Sequence, residues 1–124
     1  MDKIWTYGEV SLTLDMADAE TVERYEDAFD QLAKEAAALP KDGRASARIR
    51  AYCAMYRRLF DRLFGEGTAD VLFRDIPDNT DRYDEVYGAF LQFIAAQTAA
   101  ITKQKEARAA QLRRFLPDRS RKKK

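Results

Sequence analysis

A chain of 124 residues with 46% apolar and 35% charged residues fits one folded domain with long solvated faces, and it excludes a fully disordered chain. The net charge of +1 hides an uneven spread: Arg113 to Lys124 carries seven basic residues and one acid, which leaves the first 112 residues at −5. Five glycines and three prolines are too few for a many-stranded sandwich and suit long uninterrupted helices. The fold expected is therefore mainly α, a small helical bundle spanning 1–112, with an N-terminal β-ribbon over 1–15 and a flexible basic tail over 113–124.

The ribbon is read from Ile4 to Leu14, where Val10, Leu12 and Leu14 alternate with Glu9, Ser11 and Thr13 at the period of a half-buried strand, turning near Gly8. Two strands alone are marginal in water, so the apolar face has to rest on helices. Asp15 or Asp18 caps the first helix, whose stripe Val22, Tyr25, Phe29, Leu32, Ala36 and Leu39 recurs at steps of three and four before Pro40 and Gly43 end it.

The spacing predicts a second helix from about Ala45 to Phe64, with Ile49, Tyr52, Cys53, Tyr56, Phe60, Leu63 and Phe64 on its apolar side and Gly65 closing it in a left-handed conformation. Thr68 is read as the cap of a single short helix, Ala69 to Phe73. Asn79 or Thr80 starts the last helix, which meets no breaker until Pro117. Its apolar side holds Tyr83, Val86, Tyr87, Phe90, Leu91, Ile94 and Ile101. At about 1.5 Å per residue it is longer than a domain of this size is wide, so its second half projects, frays or packs on another copy.

Chemistry is sparse. Histidine is absent, which removes the commonest general base and zinc ligand, and no nucleophile, base and orienting group assemble from what remains. Cys53, the only cysteine, falls on an apolar stripe and reads as packing, and it leaves no intrachain disulfide and a reducing compartment. The acids from Asp70 to Glu85 lack the spacing of a calcium loop, and Gly65-Glu66-Gly67 lacks the Lys-Ser/Thr of a phosphate loop. No catalytic residue, metal or cofactor is assigned. With no leader segment and no apolar run approaching the roughly 18 residues of a membrane span, the expected location is the cytoplasm of the cell that makes it.

Binding is what is left. Arginines of the second helix (Arg44, Arg48, Arg50, Arg57, Arg58 and Arg62) face the acids of the first as ordinary charge complementarity. The partner-contact residues singled out are Tyr83, Tyr87 and Phe90 on the last helix, with Arg113, Arg114, Arg119, Arg121, Lys122, Lys123 and Lys124 in the tail.

The order of features resembles a known family. An N-terminal ribbon, an Asp-initiated helix with Val22-Glu23-Arg24-Tyr25-Glu26, a second helix with Ile49-Arg50 and Cys53, then Leu63-Phe64-Gly65-Glu66-Gly67-Thr68-Ala69, is similar to the tail assembly chaperones of Gram-positive siphophages and prophages. The resemblance covers about Asp15 to Gln97, and its most specific piece is the Phe64 to Thr68 corner. It implies a bacterial host cell and a protein that binds the tape-measure protein, recruits tail-tube subunits, is absent from the virion, is often made in two lengths by frameshifting, and has no catalytic residues. A homo-oligomer through the last helix accompanies this reading. Two rivals stand beside it: a nucleic-acid-binding module using the basic tail, which predicts steep salt dependence, and a structural head-tail connector.

Overall fold

A computed structural model describes residues 2–115. Its elements are β1 (Ile4–Tyr7), β2 (Val10–Thr13), α1 (Ala19–Ala37), α2 (Ala45–Phe64), α3 (Thr68–Leu72) and α4 (Thr80–Phe115), so the mainly helical architecture with an N-terminal hairpin and a long last helix is present as expected.

The hairpin is antiparallel, with Trp5 opposite Leu12 and Tyr7 opposite Val10 across the two-residue loop Gly8-Glu9. Gly8 has φ 60° and no other residue type among the described residues has positive φ, which is the sign pattern of a type II′ turn matched to strand twist. One face carries Trp5, Tyr7, Val10 and Leu12 toward the helices, and the other leaves Ile4, Thr6, Ser11 and Thr13 exposed.

Asp18, not Asp15, caps α1, accepting from the Thr21 amide at 3.0 Å. Asp15 instead accepts from the Ala17 amide at 2.9 Å and pairs with Lys3 at 3.3 Å. The α1 helix stops at Ala37, short of Leu39, and Ala28 is its fully buried residue while Ala36 is exposed.

The α2 limits match the expected span, but its inner face is shifted. Met55 and Leu59 are buried, whereas Ile49 is exposed with the rest of residues 45–50 and borders an open groove with Leu39 and Thr80. Gly65 ends α2 with φ 116° and ψ 154°, an extended glycine conformation, and the left-handed residue is Gly67 at φ 92°, ψ −11°. Thr68 is already helical and does not cap α3; the Asp61 carboxylate does so from α2, accepting from the Ala69 amide at 2.8 Å. Asn79 starts α4 by accepting from the Arg82 amide at 3.1 Å.

The core is a continuous aromatic network. Trp5 of β1 stacks on Phe60 at 5.8 Å and meets the Phe90 edge at 5.4 Å, and Phe60 reaches Phe73 at 5.7 Å. Such pairs add about 0.5–1.5 kcal/mol each to the burial of their area. The hairpin is therefore docked by its single tryptophan onto α2 and α4.

A polar clamp completes the docking. Gln97, 2% exposed on α4, donates to the Leu14 carbonyl at 2.8 Å and the Asp2 carbonyl at 3.0 Å, and accepts from the Met16 amide at 2.5 Å. One side-chain amide thus satisfies backbone groups on both strands' outer ends, where a two-stranded ribbon has no third strand to serve them.

Candidate interaction surface

The structure separates the residues singled out for partner binding. Tyr83 and Phe90 are fully buried and are corrected to core residues. Tyr83 stacks on Phe73 with centroids 4.1 Å apart, and its hydroxyl sits between Arg57 at 3.3 Å and Asp78 at 3.4 Å. Phe90 fills the space between Trp5, Phe60 and Phe64. Tyr87 is half-buried against Tyr56 at 4.7 Å. The periodicity that suggested an accessible stripe is the periodicity of a helix face pressed on its own bundle.

Arg113 and Arg114 are exposed in the last turn of α4, whereas Arg119, Arg121, Lys122, Lys123 and Lys124 lie outside the described residues.

The arginines of α2 divide by position. Arg58 and Arg62 both reach Glu35 of α1, at 2.8 and 2.7 Å. Burial works to raise the Glu35 carboxyl, but the two guanidinium groups outweigh it and hold the carboxyl below its ordinary value. Arg57 is anchored by Asp70 and the Tyr83 hydroxyl beside the Phe73 ring. Arg44, Arg48 and Arg50 remain exposed at the open end of α2. The expected complementarity between α1 and α2 is thus real but concentrated at Glu35.

Cys53 is completely buried, and burial, with Asp78 adding to it, pushes its thiol up, away from the reactive thiolate. Among the described residues no three His, Cys, Asp or Glu side chains gather to hold a metal ion.

The surface with binding geometry is the free edge of β2. In a two-residue hairpin Tyr7 and Val10 exchange both backbone bonds, and so do Trp5 and Leu12; the Leu14 amide to Lys3 carbonyl bond at 2.8 Å continues that parity. The N–H and C=O groups of Ser11 and Thr13 consequently point outward, away from β1. Among the described residues no hydrogen bond ties them to another element. On the β1 side the outward Ile4 amide is taken up by Asp2 at 2.9 Å.

Beside the β2 edge runs an open groove of about 480 Å³ lined by Val10, Leu12, Glu66, Gly67, Thr68 and Val71, among others. Val71 is 45% exposed although apolar. The groove continues around the hairpin turn into a second of about 580 Å³ that shares Glu9, Val10 and Val71. Glu66, Gly67 and Thr68 of the Phe64 to Thr68 corner thus form the far wall of an edge-strand groove. Gly67 in its left-handed conformation is what swings α3 into that position.

Among the described residues no helix is long and apolar enough to cross a membrane. The chain belongs to a family of unknown function, DUF6673, whose model matches residues 8–124. No curated protein and no solved structure matches it.

Proposed function

We propose that this protein is a non-catalytic assembly chaperone that captures an extended segment of a partner chain along the free edge of β2. The observation that carries this reading is the coincidence of outward Ser11 and Thr13 backbone groups with the apolar-lined groove next to them. A strand added about 4.8 Å from β2 would pair with those groups, and alternate side chains would drop over Thr68 and Val71. Main-chain bonds supply sequence-tolerant affinity, which suits a chaperone, and the groove supplies a preference for apolar residues at every second position.

The resemblance to siphophage tail assembly chaperones gives the partners under this proposal: the tape-measure protein and tail-tube subunits, met before assembly in the cytoplasm of a bacterial host. The groove wall includes Glu66, Gly67 and Thr68 of the corner that carries the resemblance.

Co-expression with a siphophage tape-measure protein tests the reading. The two are expected to co-purify, with the tape-measure protein more soluble than alone. Ser11→Pro removes an outward donor without touching the bonds between β1 and β2, so it is expected to weaken capture about tenfold, the equivalent of one backbone hydrogen bond, while the hairpin stays folded. Undiminished capture by Ser11→Pro would reject the edge, and a partner equally soluble alone would reject the chaperone.

A further inference from the structure

The α4 helix leaves the body at Ile101, its last buried residue at 9% exposed. The remaining residues, Thr102 to Phe115, extend about 21 Å as a largely exposed arm. At the tip Leu112 and Phe115, 58% and 85% exposed, lie three positions apart on one face, with Arg108 one turn earlier.

Charge divides at the same place. Residues 1–101 hold twelve basic and nineteen acidic side chains, net −7, whereas residues 102–124 hold ten basic and two acidic, net +8. The acidic side is displayed on α1, where Glu20, Glu23, Glu26, Asp27 and Asp30 are all exposed. Between α1 and Arg62 of α2 lies a groove of about 340 Å³ bordered by Glu20, Glu23 and Asp27, with Ala28 at its base. Arg24 and Arg62 also line it, engaged with the Leu63 carbonyl and with Glu35, which leaves the three carboxylates around a small apolar floor to face an apolar tip flanked by arginines.

The arm does not reach this face within its own chain. Met16, just before α1, bonds to Gln97, and Phe29 further along α1 lies 6.4 Å from Tyr87, so α1 runs antiparallel to α4 and back from the arm's base. The unbroken α4 helix carries Thr102 to Phe115 the other way. Two arms laid on each other would juxtapose like charge, since residues 102–115 hold five basic side chains and one acid. Nucleic acid would meet the arm's charge but would be repelled by the acidic body and leave Leu112 and Phe115 uncovered.

We infer that the protein forms a two-fold dimer in which the arm of each copy lies across the acidic α1 face of the other. Symmetry makes each contact twice, so opposite charge on two separate parts of one chain produces self-association without a second gene product. This surface is separate from the β2 edge, and the dimer stands whether or not the edge captures a partner.

Sedimentation velocity of the full chain tests it, alone and as two charge-reversed variants, K103E/K105E/R113E/R114E in the arm and E20K/E23K/D27K on α1. The wild type is expected to be a dimer in dilute salt and to dissociate as salt shortens the screening length from about 30 Å at 0.01 M toward about 3 Å at 1 M. Each variant alone is expected to be monomeric with wild-type circular dichroism, and an equimolar mixture to recover the dimer, because the mixture restores both contacts. A wild type that stays monomeric in dilute salt overturns the inference, as does a dimer indifferent to both reversals or a mixture that fails to associate. Binding of duplex DNA by a chain that remains monomeric would assign the arm to nucleic acid instead. If the reversals unfold the chain, the salt titration of the wild type decides: a dimer unchanged by salt rejects the inference.

Discussion

Gln97 donates to the carbonyl of Leu14 across 83 positions of sequence at 2.8 Å, and that bond, with its two companions to Asp2 and Met16, holds the hairpin on α4. The hairpin has no third strand, so the clamp and the Trp5 contacts are what keep its ends in place.

Gln97→Ala is expected to lower stability by about 2 kcal/mol, since it strands the buried Leu14 carbonyl and also frees the Met16 amide. Urea unfolding measures the loss. Hydrogen exchange would localise it, with protection falling in β1 and β2 before the helices; uniform loss across α2 would contradict a clamp confined to the hairpin.

Phe90→Ala is expected to cost about 3–5 kcal/mol, because Trp5, Phe60 and Phe64 all lean on that ring and the gap it leaves has few ways to close. Against a total of about 5–15 kcal/mol this brings the domain near its limit. Phe115→Ala, at a ring 85% exposed, is expected to change the stability of the isolated subunit by less than about 0.5 kcal/mol. Thermal melts in high salt compare the two, with Trp5 fluorescence as reporter of the core.

Glu35 makes stability fall with acid. Its folded-state carboxyl lies below the ordinary 4.5, so the contribution is fully present above that value and is lost as pH drops through the lowered one. Glu35→Gln is expected to cost about 1 kcal/mol at neutral pH, a modest figure because Arg58 is half exposed and screened by solvent. The difference from wild type is expected to vanish on acidification. A gap that persists once the carboxyl is protonated in both states would mean that packing, not charge, explains it.

Much of the fold was legible because local rules agreed with the global structure. The 3.6-residue stripe and the absence of breakers located α2 and α4, and Gly8 between alternating strands located the turn. Capping was harder where side chains compete: Asp18 and Asn79 were among the named candidates, but the α3 start depends on Asp61 eight residues earlier, beyond any local cap pattern.

Gln97 was missed altogether. It takes an apolar-stripe position between Ile94 and Ile101, and that misfit was the one available signal of a buried polar role. Tyr83 and Phe90 pass for partner contacts in the sequence for the opposite reason, since an inward and an outward apolar face look alike until the bundle is closed. The groove beside β2 needed the strand parity and the Gly67 conformation together, neither of which periodicity records.

The Gln97 clamp also orders events in time. On the ribosome the segment from Asp2 to Met16 emerges before the side chain that holds it, which follows Met16 by 81 positions, so the hairpin gains its native anchorage only after α1, α2 and α3 have been made. Until Gln97 emerges, the Asp2 and Leu14 carbonyls and the Met16 amide stay open to other chains.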